Sequence, residues 1–248
     1  MPFFDGARGR MHYRLWPIDT PSHTVVLLPG MGQHSGHYHH FARTLHSAGA
    51  QISALDPFGQ GLSEGDPQRP GTLTELVDDA SRLVESARAA QPRTPLVLMG
   101  HSLGAATALG LLGAAIPDTA VVGTVSVAAS TDYPLHPALA AHTLSGLVLS
   151  GTPKRVLGGG MPGALGTPLP HTLPVLAIHG VEDRRAPIDA MRAWAGRHTS
   201  VDMREYPDTG HDLLHEPRSG IVARDICRWL LGLEWSERDS LPRDDLSR

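Results

Sequence analysis

Short apolar runs alternate with amphipathic stretches along most of this chain. His23–Leu28 carries two valines and two leucines without a charge, which is typical of a strand buried on both faces of a sheet. Thr72–Ala90 instead repeats its apolar residues at helical spacing. Together with an opening hairpin at 3–16, the pattern predicts strands at 23–28, 51–55, 96–99, 121–128, 174–178 and 201–206, and helices at 37–48, 72–90, 105–116, 187–197 and 216–233.

This order of elements predicts an α/β fold in one domain at residues 1–235. Strands that alternate with helices form a mostly parallel central sheet with helices on both faces. Residues 131–172 interrupt the alternation: they are rich in glycine, proline and leucine and carry almost no charge. A connection of that length is unusual in a compact domain, and its apolar character favours a cap over an apolar site. The charged tail at 236–248 is predicted to be poorly ordered.

Composition narrows the classes of function. The chain has 248 residues, 41% of them hydrophobic and 19% charged, with a formal net charge of −4. That charge argues against a nucleic-acid partner, whose phosphates require a basic surface. The single cysteine, Cys227, cannot form an internal disulfide, and neither a signal peptide nor a membrane-spanning run is visible. We therefore expect a cytoplasmic protein, and no Cys/His spacing suggests a metal.

The sequence Gly100-His101-Ser102-Leu103-Gly104 lies between a predicted strand and a predicted helix. A Gly-x-Ser-x-Gly in that position is typical of the nucleophile elbow of α/β-hydrolases. The glycines permit a sharp, strained turn that holds the serine side chain clear of the backbone. We predict Ser102 as a nucleophile.

Two polar residues in later loops are candidates for the rest of a catalytic triad. Asp183 follows the predicted strand at 174–178, and His211 follows the strand at 201–206. A serine hydroxyl needs an adjacent base that is itself oriented by a carboxylate. Hydrolases with this elbow carry serine, acid and histidine in that order, so the sequence predicts Asp183 as the acid and His211 as the base.

Other residues compete for these roles. Glu182 is adjacent to the candidate acid, and Asp132 follows the predicted strand at 121–128, where some hydrolases keep their acid. We expect Glu182 to point away from the site. Three further histidines are expected to be structural: His101, His179 and His215.

The oxyanion of a tetrahedral intermediate needs two backbone N–H donors. One belongs to the residue after the nucleophile, which is Leu103. The other comes from the loop after the strand at 23–28, and we predict Met31 in Pro29-Gly30-Met31-Gly32 as this donor.

These motifs together resemble the monoacylglycerol lipase and lysophospholipase-like branch of the α/β-hydrolases, which is often grouped with serine aminopeptidase-like hydrolases. The resemblance rests on 30–38, 56–65, the elbow, 180–183 and 206–217, in register from about residue 20 to 232. It implies hydrolysis of a lipid-like ester, monoacylglycerol or lysophospholipid, by Ser102, Asp183 and His211 without a cofactor. Transient contact of the cap with a membrane surface remains open, as does the oligomeric state.

The chain departs from this branch at three places. Pro29 stands where a histidine is usual, Phe58-Gly59-Gln60-Gly61 replaces a His/Arg-Gly-His-Gly pattern, and the cap is shorter and richer in glycine. Because the cap shapes the acyl pocket, a thioesterase or a small-ester carboxylesterase with the same triad stays an alternative. Serine at the elbow disfavours an aspartate-nucleophile dehalogenase or epoxide hydrolase, and the complete triad disfavours a non-catalytic binding module.

Overall fold

A computed structural model describes residues 2–112, 144–154, 156–157 and 172–238, with side chains as far as Leu233. In this part the chain forms eight strands and five helices. The strands are β1 (Phe3–Asp5), β2 (Arg10–Trp16), β3 (His23–Leu28), β4 (Ala50–Leu55), β5 (Leu96–His101), β6 (Gly146–Ser150), β7 (Val175–Gly180) and β8 (Val201–Tyr206). The helices are α1 (His39–Ser47), α2 (Leu73–Ala90), α3 (Leu103–Leu111), α4 (Ile188–Ala195) and α5 (Ser219–Arg238), with a short 3₁₀ helix at Ser35–Tyr38.

All eight strands form one sheet in the order β1-β2-β4-β3-β5-β6-β7-β8. The pairs β1–β2 and β2–β4 are antiparallel, and every other pair is parallel. The structure therefore confirms the predicted α/β class with its mostly parallel sheet.

Both faces of the sheet are buried, which explains the continuous apolar runs. Alternate strand residues such as Val26 and Leu98 pack with α2 and α3 on one face. Their neighbours Leu27 and Met99 pack with α1 and α5 on the other. Because β3 to β8 run parallel, their carboxyl ends lie at the same edge of the sheet.

Local signals place two helix ends where the sequence predicts them. Thr72 is the N-cap of α2, where its side chain accepts from the N–H of Glu75 and the Glu75 carboxylate accepts from the N–H of Thr72. Gly49, with φ +95°, follows the end of α1, because a residue without Cβ adopts this backbone conformation at little cost.

The structure corrects the predicted cap at 131–172. Residues Gly146–Ser150 form β6, which pairs with β5 and β7 in the middle of the sheet. Its three apolar residues, Leu147, Val148 and Leu149, are too short a run to distinguish a strand from a loop. The predicted strand at 121–128 and most of the remaining cap lie outside the described residues, so the cap stays a prediction.

The end of the domain also differs from its predicted boundary. Helix α5 continues through Arg238, three residues into the segment predicted as the tail, and 239–248 lie outside the described residues. Within the described part, no helix is both long and apolar enough to span a bilayer.

Candidate active site

Ser102 occupies a tight turn between β5 and α3. Its backbone lies at φ 52° and ψ −112°, a conformation that costs free energy for any residue with a Cβ. The Ser102 N–H donates to Ser150 O at 2.8 Å, which attaches the turn to the neighbouring strand β6. A Cβ at Gly100 would overlap Gly104 O, and one at Gly104 would overlap Leu28 O. Both glycines are therefore required by the close approach of α3 to the sheet.

The structure brings Ser102, His211 and Asp183 into one hydrogen-bonded row. Ser102 Oγ lies 2.9 Å from His211 Nε2, and Asp183 Oδ2 lies 2.7 Å from His211 Nδ1. When Nδ1 carries its proton toward the carboxylate, Nε2 is left to accept the serine proton. This arrangement is capable of activating a serine hydroxyl.

The Asp183 carboxylate is buried, with 4% of its residue surface exposed. Burial raises the pKa of Asp183, but the hydrogen bonds from His179, His211 and the N–H of Ala186 outweigh it and hold the pKa well below its usual range. Its Oδ1 also accepts from the N–H of Arg185 at 2.9 Å. Asp183 is therefore ionised at neutral pH and fixed in orientation.

Of the two competing acids, Glu182 is exposed, in agreement with the expectation that it points away from the site. Asp132 lies outside the described residues, so its candidacy stays open.

Three other histidines lie near this row. His101 is buried, its Nδ1 lies 3.1 Å from Ser150 Oγ, and burial lowers its pKa. His215 stacks edge-on against the Tyr38 ring, at 4.6 Å between centroids. His179 is fully buried, with Nε2 2.6 Å from Ala186 O and 3.3 Å from Asp183 Oδ2.

The loop after β3 lies beside this row. The N–H of Gly30 donates to Gln33 Oε1 at 3.1 Å, so this group is already used within the loop. Met31 follows it and has 36% of its surface exposed, whereas Leu103 begins α3 and is buried. A small apolar pocket lies between the loop after β3 and the start of α3, and its lining includes Pro29 and Leu103.

Three residues of this region were missed or undervalued by sequence reasoning. Gln33 and Asp212 hydrogen-bond to each other across the site, and His179 contacts the candidate acid. Gln33 and Asp212 lie in segments that carry the family resemblance, but neither was assigned a role, because their contact arises only from the fold. Among the described residues, no group of three or more His, Cys, Asp and Glu side chains could hold a metal ion.

A mostly parallel eight-stranded sheet, with a serine at a strained strand-to-helix turn, defines the chain as an α/β-hydrolase. The family described as serine aminopeptidase, S33, matches residues 19–160. Monoacylglycerol lipase of Mycolicibacterium smegmatis is 30% identical over 267 residues, which cover 92% of this chain and 95% of that protein. Human monoglyceride lipase is 33% identical over 111 residues, 44% of this chain and 37% of that protein.

Solved structures of similar fold include a thermostable carboxyl esterase from Bacillus coagulans in complex with glycerol. Its TM-score is 0.70 at 17% identity, covering 94% of this chain and 98% of that one. The monoacylglycerol lipase of Paleococcus ferrophilus has a TM-score of 0.61 at 18% identity, covering 90% and 99%.

The chain belongs to the serine aminopeptidase S33 family of α/β-hydrolases, in the monoacylglycerol lipase-like branch that its motifs resemble. The family and the names of its relatives make it an ester hydrolase.

Proposed function

We propose that this chain is a serine hydrolase that cleaves the carboxylic ester of a lipid-like substrate, monoacylglycerol or lysophospholipid, through an acyl-enzyme. The observation that carries the proposal is the row from Ser102 Oγ through His211 to Asp183, with distances of 2.9 and 2.7 Å. It occurs in a chain that is similar, over 92% of its length, to a monoacylglycerol lipase.

Acylation begins when Ser102 Oγ attacks the ester carbonyl carbon while its proton passes to His211 Nε2. Asp183 holds the imidazole and stabilises its cation. The tetrahedral intermediate then collapses, the bond to the leaving alkoxide breaks, and this oxygen takes the proton from Nε2. The products of this half-reaction are a free alcohol and an ester of Ser102.

Deacylation repeats the sequence with water. His211 Nε2 takes a proton from the water as its oxygen attacks the acyl carbon, and then returns a proton to Ser102 Oγ as the fatty acid leaves. In both tetrahedral intermediates the N–H groups of Met31 and Leu103 stabilise the oxyanion. The bond between Gly30 N–H and Gln33 removes the neighbouring peptide from this role, which supports Met31 as the donor.

The lipid-like substrate is supported by the names of the relatives, which include a monoacylglycerol lipase and a monoglyceride lipase. The triad serves thioesters and short esters equally well, so the shape of the substrate site decides between the alternatives. Glycerol or glycerophosphate would occupy the alcohol side, and the acyl chain would meet apolar side chains.

The test measures fatty-acid release from monoacylglycerols of increasing chain length, with Ser102→Ala as the blank. The same assay is run in parallel with three other substrates: lysophosphatidylcholine, an acyl-CoA thioester and p-nitrophenyl acetate. We expect serine-dependent turnover that peaks at a medium or long acyl chain on a glycerol ester. Turnover confined to acetate would leave a small-ester carboxylesterase, and turnover confined to the thioester a thioesterase. No serine-dependent turnover on any of them would refute the proposal.

A further inference from the structure

The side-chain amide of Gln33 joins the loop after β3 to the loop that carries His211. Its Oε1 accepts from the N–H of Gly30 at 3.1 Å and from the Tyr38 hydroxyl at 2.5 Å. Its Nε2 donates to Asp212 Oδ1 at 3.2 Å, across 179 residues of sequence. The backbone N–H of Gln33 also donates to Gly30 O at 3.1 Å, which closes the loop into a turn.

We propose that Gln33 and Asp212 are positioning residues: they hold the loop after β3, which carries the proposed oxyanion donor Met31, in a fixed position relative to His211. The inference rests on the proposed function, because it concerns how that site is preorganised. An oxyanion hole is effective only when its donors are already aimed at the developing charge. The Gln33 side chain binds the N–H of the Pro29–Gly30 peptide, one peptide before the one that carries the Met31 N–H. Asp212, which directly follows His211, accepts from the same side chain and so links this loop to the proposed base.

The chemistry of the contact requires an amide at position 33. The Oε1 side faces two donors, Gly30 N–H and Tyr38 O–H, while the Nε2 side faces a carboxylate oxygen. A glutamate could accept on the first side but has no proton for the second. It would also bring two carboxylates together at a half-buried position.

Asp212 is well placed to act as an ionised acceptor. The contact with His101 lowers the pKa of Asp212 to about 2, against an opposing effect of burial. Besides Gln33, His101 Nε2 lies 3.6 Å from Oδ1 and Arg185 Nη1 lies 3.8 Å from Oδ2 of this carboxylate. His211 also lowers its pKa through charge. The contacts with His101 and Arg185 are both beyond ordinary hydrogen-bond distance, so the Gln33 amide is the short contact that links the two loops.

The test is a donor–acceptor swap. Gln33→Glu removes the donor, Asp212→Asn replaces the carboxylate with an amide, and the double variant restores a donor–acceptor pair with the polarity reversed. Gln68→Glu makes the same amide-to-carboxyl change at an exposed position. We measure kcat, KM and the urea midpoint for each on the best ester of the wild type.

We expect Gln33→Glu to lower kcat by about 10²-fold, the size of effect that follows loss of one oxyanion donor, with KM changed by less than about threefold. Asp212→Asn should lower kcat less, since the amide oxygen of asparagine can still accept from Gln33 Nε2. The double variant recovers at least about tenfold in kcat over Gln33→Glu. Gln68→Glu matches the wild type. Equal kcat in Gln33→Glu and the double variant, or a loss that simply follows the urea midpoint, overturns the proposal.

Hydrogen exchange of the Gly30 amide, followed by NMR, gives a readout that does not depend on the substrate. A glutamate at position 33 could still accept from Gly30 N–H, but without the bond to Asp212, and repelled by its carboxylate, it is no longer held against the loop. We therefore expect Gly30 exchange to be faster in Gln33→Glu by about tenfold or more and to slow again in the double variant. If the wild type hydrolyses no ester, the proposed function fails, but Gly30 exchange still tests whether the Gln33–Asp212 contact holds the loop. Identical Gly30 exchange in all variants refutes the positioning role of Gln33 and Asp212 and leaves the proposed function standing.

Discussion

Ser102 Oγ and His211 Nε2 lie 2.9 Å apart although 109 residues separate them along the chain. Hydrogen bonds hold the loops of both partners: Ser102 N–H donates to Ser150 O, and the N–H of Gly210, which precedes His211, donates to the side-chain Oε2 of Glu216 at 2.8 Å. The alignment of serine and imidazole thus depends on short loops held against the sheet edge, and it is sensitive to changes that move these loops.

Substitutions at Ser102 test two things separately: its role as the nucleophile and the backbone strain of the turn that carries it. Ser102→Ala and His211→Ala should each lower kcat by about 10⁴-fold or more while the fold persists, measured by ester turnover and circular dichroism. Ser102→Gly should be equally inactive yet more stable than Ser102→Ala by about 1 kcal/mol, because only glycine adopts φ 52° without strain. Equal thermal midpoints for the two variants would contradict the strain at the elbow.

Asp183→Asn tests the choice of acid. The amide no longer accepts from both His211 and the N–H groups of Arg185 and Ala186, so the imidazole loses its orientation. We expect kcat to fall by about 10²- to 10⁴-fold. Glu182→Gln, an adjacent and exposed carboxylate, is the control and should keep full activity. Full activity in Asp183→Asn together with loss in Asp132→Asn would move the acid to Asp132.

Gly104→Ala tests how closely α3 approaches the sheet. Its Cβ would overlap Leu28 O, so the helix must shift and carry the elbow with it. We expect a loss of about 3 kcal/mol or more in the free energy of unfolding and a fall in kcat. Gly232→Ala on α5, where a Cβ meets no atom within 4 Å, should instead stabilise by about 0.5–1 kcal/mol. Urea unfolding compares the two.

Acid stability should depend on His101. Burial lowers the pKa of His101, so below about pH 6.5 the unfolded chain binds a proton that the folded chain does not. The free energy of unfolding therefore falls as the pH drops through 6.5, by up to about 1.4 kcal/mol per pH unit for this group. Urea titrations between pH 7.5 and 5 should show a smaller slope in His101→Gln. The same change at the exposed His40 should leave the slope as in the wild type.

Sequence patterns predicted the fold well wherever an element has its own signal. The apolar run before the elbow matches β5, and Thr72 with Glu75 fixes the start of α2. Helix α3 begins two residues earlier than predicted, directly after Ser102, since the turn itself starts the helix. Strand β6 was not predicted because a run of only three apolar residues, 147–149, becomes a strand through its pairing with β5 and β7.

In the candidate site too, residues that stand in a sequence motif could be predicted, whereas contacts between distant residues could not. Ser102, Asp183 and His211 could be proposed from motif and chain order, and their roles stay predictions that the variants above test. Gln33 and Asp212 could not, because an amide and a carboxylate 179 residues apart carry no local pattern. Their meaning depends on the distance between two loops, which only the folded chain defines.

The hydrogen bond from Ser102 N–H to Ser150 O has a consequence for how such a chain can evolve. The acceptor is a backbone carbonyl, so this attachment of the nucleophile to β6 does not depend on which side chain stands at position 150. Position 150 can therefore exchange its side chain over evolutionary time while the turn that carries Ser102 stays attached to the sheet.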